Sequence, residues 1–273
     1  MTDATSQQPL HAGRDVLLSM FDLTGRTAIV TGGGAGLGFE ISVLLSRAGA
    51  TLVVADVDLV AAEQTVKEIA AAGGTARAVR TDVSDEESVL ALFGVLESDF
   101  DGVDILVNNA GIYPNKPIDE LTTADWDKVH SINLRGPFLL MREAVKQMRR
   151  HQRGGRIVNI SSIASMHPAL LGNTHYASSK AGLNMLTKAL ALEVAKDDIT
   201  VNAVCPGGVM SETRKERMTD KVNWGGPATD SSRFLLGLGA PVKHAAPVLF
   251  LASPAGGHIT GQTIVVDGGF LIS

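Results

Sequence analysis

Tyr176 and Lys180 are the pair whose types and spacing most directly suggest chemistry in this 273-residue chain. In Tyr-Ala-Ser-Ser-Lys the phenol and the ammonium stand four residues apart, hence on one face of a helix. A free phenol, with a pKa near 10, is a poor base at neutral pH. A cation about 4 Å away, at an effective dielectric near 20, contributes up to ~4 kcal/mol, or roughly three pKa units. The pair therefore predicts a tyrosine brought into range to exchange a proton with an alcohol. The same spacing on a merely amphipathic helix would be a tyrosine beside a snorkelling lysine. Its place shortly after the strand that ends at Ser161–Ser162 favours the chemical reading. A second constellation is Thr31-Gly32-Gly33-Gly34-Ala35-Gly36-Leu37-Gly38, after a β-branched run and at the start of a helical period. Glycines there let the turn close and the backbone approach a pyrophosphate, and the helix start offers free N–H groups to phosphates. Asp56, at the end of the next strand, can accept hydrogen bonds from an adenosine ribose.

These residues need a scaffold, and the hydrophobic pattern supplies one. β-Branched runs at Thr27–Thr31, Thr51–Ala55, Ala76–Thr81, Ile105–Asn108, Arg156–Ser161, Thr200–Val204 and Thr263–Val266 predict strands. Between them lie segments with apolar residues three and four apart, such as Ile41, Leu44, Leu45 and Ala48. Strands alternating with helices predict an α/β, Rossmann-like, doubly wound parallel sheet buried on both faces. With no internal repeat and no linker, residues 21–273 read as one domain behind an N-terminal tail, 1–20. The stretch 207–240 breaks the alternation and reads as a substrate lid. Asn133 falls inside a helical stretch and Pro137 follows four residues on, a local misfit of the kind found at functional sites.

The order of these motifs resembles the short-chain dehydrogenase/reductase family, in its single-domain branch, from about Phe21 to Ile272. The matching residues are the TGxxxGxG turn at Gly32, Gly36 and Gly38, then Asp56, Thr81-Asp82-Val83, Asn108-Asn109-Ala110-Gly111, Asn133, Ser162, Tyr176, Lys180 and Pro206-Gly207. The resemblance implies reversible oxidation of an alcohol to a carbonyl with a nicotinamide cofactor. Tyr176 would be the acid/base, Ser162 (with Ser161 as the alternative) would hold the substrate oxygen, and Lys180 would lower the tyrosine pKa and bind the ribose. Asn133 would anchor a water beside the lysine. The cofactor would be held by Gly32, Gly36, Leu37, Gly38, Asp56, Val57, Asp82, Val83, Asn109, Ala110, Gly111, Tyr176, Lys180, Pro206, Gly207 and Val209. The substrate pocket would draw on Ile163, Met166, Pro168, Leu170, His175, Val209, Met210, Trp224, Phe234 and Leu235. That mostly apolar lining favours a hydrophobic secondary alcohol, with a cyclic or terpenoid skeleton among the options. A sugar or polyol dehydrogenase and a 3-oxoacyl carrier-protein reductase are the alternatives, and a nucleotide-binding regulator is the non-enzymatic one.

The cofactor expectation is NAD. Asp56 would repel the 2′-phosphate of NADP, and Ala35 and Val57 occupy places where a basic residue would attract it. Composition narrows the remaining classes. A net charge of −5, with one basic cluster at Arg149, Arg150, Arg153 and Arg156, argues against nucleic acid. The single cysteine, Cys205, excludes a disulfide framework, and seven histidines without a metal-ligand spacing predict no metal. No apolar run suits a membrane span, and the polar N-terminus lacks a secretory pattern, so the expectation is a soluble cytoplasmic protein. Apolar residues on several helix faces, including Phe138, Leu139, Leu183, Met185, Leu186 and Leu190, and the terminal Phe270-Leu271-Ile272 suggest an interface. The resemblance then implies a homotetramer.

Overall fold

Seven short strands form one parallel sheet: β1 (Thr27–Thr31), β2 (Thr51–Asp56), β3 (Ala76–Arg80), β4 (Ile105–Asn108), β5 (Gly155–Ile160), β6 (Ile199–Pro206) and β7 (Thr263–Val266). The computed structural model describes residues 13–210 and 225–273. The strand order is β3-β2-β1-β4-β5-β6-β7, all parallel, with Val30 facing Val54 and Val107 on its two sides. The helices are α1 (Gly13–Ser19), α2 (Gly36–Arg47), α3 (Leu59–Ala71), α4 (Glu86–Asp99), α5 (Thr123–His130), α6 (Gly136–His151), α7 (Thr174–Val194) and α8 (Pro241–Ala252). Consecutive strand residues point to opposite faces. Ile29, Val53, Leu106, Ile157 and Val201 accordingly pack on Leu92 and Leu96 of α4 and Leu140 and Met148 of α6. Their neighbours Val30, Val54, Val107, Val158 and Val204 pack on Ile41 and Leu45 of α2 and Val248 and Leu251 of α8. Two buried faces explain why the strands are apolar at nearly every position.

Strand order reverses direction at β1 and β4, so the loops leaving their C-terminal ends part there and open a crevice. Asn133 lies in a single π-turn, Ser131–Arg135, between α5 and α6, and Pro137, second in α6, offers no N–H to the carbonyls of that turn. The predicted misfit is thus a wide turn that ejects one residue from the regular ladder. Helix α8 runs through Pro247 to Ala252.

The segment read as a tail contains α1, whose Val16, Leu17 and Leu18 are exposed, and the Met20 carbonyl just beyond it accepts from Ala255 N at 2.9 Å. Residues 1–12, and the part of the predicted lid at 211–224 with Trp224, lie outside the described residues. The two legs of that segment pair with each other, Met210 N to Gly239 O and Gly239 N to Gly208 O, both at 2.9 Å. Phe270 is a correction: it is fully buried, its ring 4.9 Å from Phe234 and capped by Arg233 at 4.5 Å. Leu139 and Leu183 are likewise core residues, whereas Phe138, Met185 and Ile272 remain exposed. The basic cluster is neutralised locally: Arg149 pairs with Asp197, Arg150 with Glu97, Arg153 with Asp101 and Asp104, and Arg156 with Asp198. Among the described residues no helix is long and apolar enough to cross a membrane, and no cluster of His, Cys, Asp or Glu could hold a metal ion.

Candidate active site

The turn after β1 is shaped by close approach. A Cβ on Gly32 would fall 2.9 Å from Ala110 Cα, and one on Gly38 would run into the Gly32 carbonyl and lie 2.5 Å from Asn109 Nδ2. Asn109 Nδ2 donates to the carbonyls of Thr31 (2.9 Å) and Gly32 (3.1 Å), and the N–H groups of Asn109 and Ala110 both reach Thr31 Oγ1. The loops leaving β1 and β4 are therefore joined into one floor. Asp56 holds the far side of the turn, accepting from Gly34 N at 2.9 Å and from Asp58 N at 3.0 Å. Helix α2 starts at Gly36 with Ala35 supplying no side-chain cap and no acid in its first turn. Its first N–H groups have no intrahelical partner, and a Cβ on Gly36 (φ +55°) would meet nothing within 4 Å. Open space over an uncapped helix start fits a pyrophosphate. Val57 is exposed beside Asp56. Asp82 accepts from Ser84 N and Oγ, which lowers its carboxyl pKa, and Val83 is buried against Gly136. On the β6 side Gly207 N donates to Val266 O at 3.0 Å, and Val209 bridges to Gly239.

β5 and α7 carry the candidate acid/base group. Ser161 is buried and its hydroxyl donates to the Lys180 carbonyl at 3.2 Å. Ser162 is the serine whose side chain hydrogen-bonds Tyr176, whereas the Ser161 hydroxyl is taken up by the Lys180 carbonyl. Lys180 Nζ donates to Ile160 O at 2.8 Å, lies near the Gly111 Cα, and sits 5.9 Å from the centre of the Tyr176 ring. Asn133 is fully buried and grips the backbone of Ile112 from both sides, accepting from its N–H (2.9 Å) and donating to its carbonyl (2.8 Å). Its Nδ2 also reaches Ser179 Oγ at 3.3 Å.

The electrostatics correct one expectation. Removal from water pushes the Tyr176 phenol up to about 12, against the hydrogen bond from Ser162, and holds the Lys180 ammonium down to about 8. The lysine does not bring the phenol into working range in the chain alone. Both groups lose hydration, and a lysine that gives up its proton near 8 carries no charge at the pH where the phenol titrates.

The expected pocket residues divide. Met166, Pro168 and Leu235 are exposed, and Met210 and Leu170 are half-buried. Ile163 and Phe234 are instead buried with Ala164, Ala169 and Phe270 behind that surface. His175 is fully buried with both ring nitrogens unpartnered. Desolvation lowers its pKa, and its charged surroundings are Asp125, His130 and Lys116, on the α5 side of the helix. Sequence reasoning missed Tyr113, whose ring stands edge-on 6.1 Å from Tyr176. Thr31 was read as the start of the glycine turn, but not that its hydroxyl accepts from Asn109 N and Ala110 N. Cys205 is buried, with its sulfur 3.7 Å from Ser165 Oγ and 3.9 Å from the Asn184 amide.

A family profile described as short chain dehydrogenase matches residues 26–222. The chain is 40% identical to 3beta-hydroxysteroid dehydrogenase 1 of Eggerthella lenta over 253 residues, covering 92% of this chain and 95% of that protein. Among solved structures, a 7 alpha-hydroxysteroid dehydrogenase complexed with NADH and 7-oxo glycochenodeoxycholic acid superposes with a TM-score of 0.85 at 35% identity, over 92% of this chain and 96% of that one. A Beutenbergia cavernae protein named as an NAD(P)-dependent gluconate 5-dehydrogenase, with NADP bound at low occupancy, superposes at 0.85 with 36% identity, over 93% and 100% of the two chains.

Proposed function

The chain belongs to the short-chain dehydrogenase/reductase family, and from that premise we propose that it interconverts a hydrophobic secondary alcohol and its ketone, using NAD. The observation that carries the proposal is the convergence of Ser162, Tyr176 and Lys180 beside the loop from β4. The hydroxysteroid dehydrogenases among its relatives support a cyclic, apolar substrate.

In this reading the Ser162 hydroxyl turns from Tyr176 to the substrate oxygen, and Tyr176 Oη takes the alcohol proton. When bound, the nicotinamide supplies the hydride acceptor. Gly32, Gly36, Leu37 and Gly38 would hold the pyrophosphate, Asp56 and Val57 the adenosine ribose, and Asp82 and Val83 the adenine. Asn109, Ala110, Gly111, Pro206, Gly207 and Val209 would border the nicotinamide end. Lys180 would hold the second ribose and, as an ammonium, stabilise the tyrosinate. The π-turn at Asn133 leaves a backbone position free to anchor a water beside that ammonium, through which the proton leaves. Asp56 supports NAD over NADP because its carboxylate already faces the glycine turn and no cation stands at Ala35 or Val57. We further propose a homotetramer, supported by exposed Phe138 on α6 and Met185 and Leu192 on α7.

A panel of steroid, terpenoid and polyhydroxy alcohols, followed by NADH absorbance, tests the reaction. Turnover of apolar secondary alcohols is expected, with kcat/KM at least tenfold higher for NAD than NADP, corresponding to about 1.4 kcal/mol. Turnover of polyhydroxy compounds alone, or parity between cofactors, would overturn the respective half of the proposal.

A further inference from the structure

Resting on that reading, we infer that Ser165 and Asn184 are positioning residues that aim the Ser162 hydroxyl at the reacting oxygen. Ser162 is extended (φ −165°, ψ 156°) and caps the short 3-10 turn Ile163–Ser165. Its Oγ accepts from Ala164 N at 3.1 Å. A serine hydroxyl has one proton and two lone pairs, so with one lone pair engaged by the turn the proton is left for Tyr176 or substrate. That assignment holds only while the turn stays closed.

Closure is reinforced from α7. Ser165 Oγ donates to the Ser162 carbonyl at 2.5 Å, beside the backbone bond from Ser165 N at 3.0 Å. With its proton directed there, Ser165 Oγ must act as acceptor on its other side, and Asn184 Nδ2 donates to it at 2.8 Å. Both amide atoms of Asn184 lie 3.9 Å from the Cys205 sulfur, so the amide is oriented by its donation to Ser165 Oγ. Tyr176, Lys180 and Asn184 stand at i, i+4 and i+8, one ridge of a single helix. One rigid element thus carries the phenol, its cation and the brace for the serine, and the Ser162–Tyr176 separation becomes a property of α7. Oriented groups of this kind lose rate steeply when displaced by an ångström.

Ser165→Ala and Asn184→Ala should each lower kcat about tenfold while leaving the equilibrium Kd for NAD unchanged. Because the Ser162 hydrogen bond lowers the Tyr176 pKa, both variants should also move the ascending limb of the kcat/KM profile to higher pH. Ser165→Thr, which keeps the hydroxyl, should restore rate and limb. In a Ser162→Ala background neither substitution should cost more than twofold further. If Ser165→Ala does not fold, Asn184→Ala gives the same readings. A slow Ser162→Ala enzyme beside wild-type rates in both brace variants would overturn this inference alone, as would a tenfold loss with an unmoved limb. Ser162→Ala at the wild-type rate would remove the reading of the site and this inference with it.

Discussion

Replacing Lys180 with methionine should make the cofactor-free protein more stable at neutral pH, although it destroys the proposed chemistry. The lysine is almost wholly buried, and its pKa falls from 10.5 to about 8. Between pH 8 and 10.5 the unfolded chain therefore binds a proton that the folded chain does not, and stability climbs with pH across that window. Below pH 8 the full difference acts against folding, about 3 kcal/mol at 1.36 kcal/mol per unit. Methionine removes that cost and also the hydrogen bond to Ile160 O, a loss of about 1 kcal/mol. The net gain is about 2 kcal/mol at pH 7, or roughly 4 °C for a chain of this length. Tyr176 moves the other way: with its phenol at about 12 rather than 10, stability falls as pH rises from 10 toward 12. Urea melts of the cofactor-free protein should show stability rising from pH 8 to about 10 and falling above it, with the first limb absent in Lys180→Met. Parallel profiles for the two proteins between pH 7 and 10 would refute the argument.

Tyr176→Phe should keep its Kd for NAD, measured calorimetrically, and lose all but a few per cent of turnover. Asp56→Asn retains an acceptor for the Gly34 N–H without the charge, so its NAD preference in kcat/KM should shrink about tenfold. Asp56→Ser paired with Val57→Arg removes the repelling carboxylate and adds a cation where the 2′-phosphate would lie, so the preference in kcat/KM should shift toward NADP. Gly38→Ala drives a methyl into the Gly32 carbonyl and should cost ~2 kcal/mol in urea melts as well as dinucleotide affinity. Light scattering at micromolar concentration should report four subunits, and a monomer would remove the interface assigned to Phe138, Met185 and Leu192.

The strands and the glycine turn were readable because their causes are local: β-branched runs buried on both faces, and glycines where a Cβ cannot fit. β3 and β6 shifted by a residue or two at their ends, where apolar runs fade into turns. Phe270 was misread because terminal grease has the same composition whether it faces solvent or folds back. Only the tertiary partners Phe234 and Arg233 decide it. The direction of the Tyr176 shift was misread for a related reason. Spacing reveals a nearby cation, but desolvation depends on what the rest of the chain places around the phenol. Asn184 left one faint trace, since it extends the Tyr176–Lys180 spacing by another turn of helix.

Parallel topology explains why so many short motifs had to converge. Every strand points the same way, so every loop that leaves one emerges at the same edge, and the split between β1 and β4 leaves room there. Convergence alone would give loosely held loops. Here side-chain amides and hydroxyls tie them together: Asn109 to the Thr31 and Gly32 carbonyls, Asn133 to Ile112, and Ser165 with Asn184 to Ser162. A buried amide meets its donor and acceptor demands in few orientations, so each tie fixes a direction as well as a distance. Among them, removal from water raises the Tyr176 phenol to about 12 and lowers the Lys180 ammonium to about 8. Burying the Lys180 ammonium among these fixed loops opposes folding, and Lys180→Met would relieve that cost.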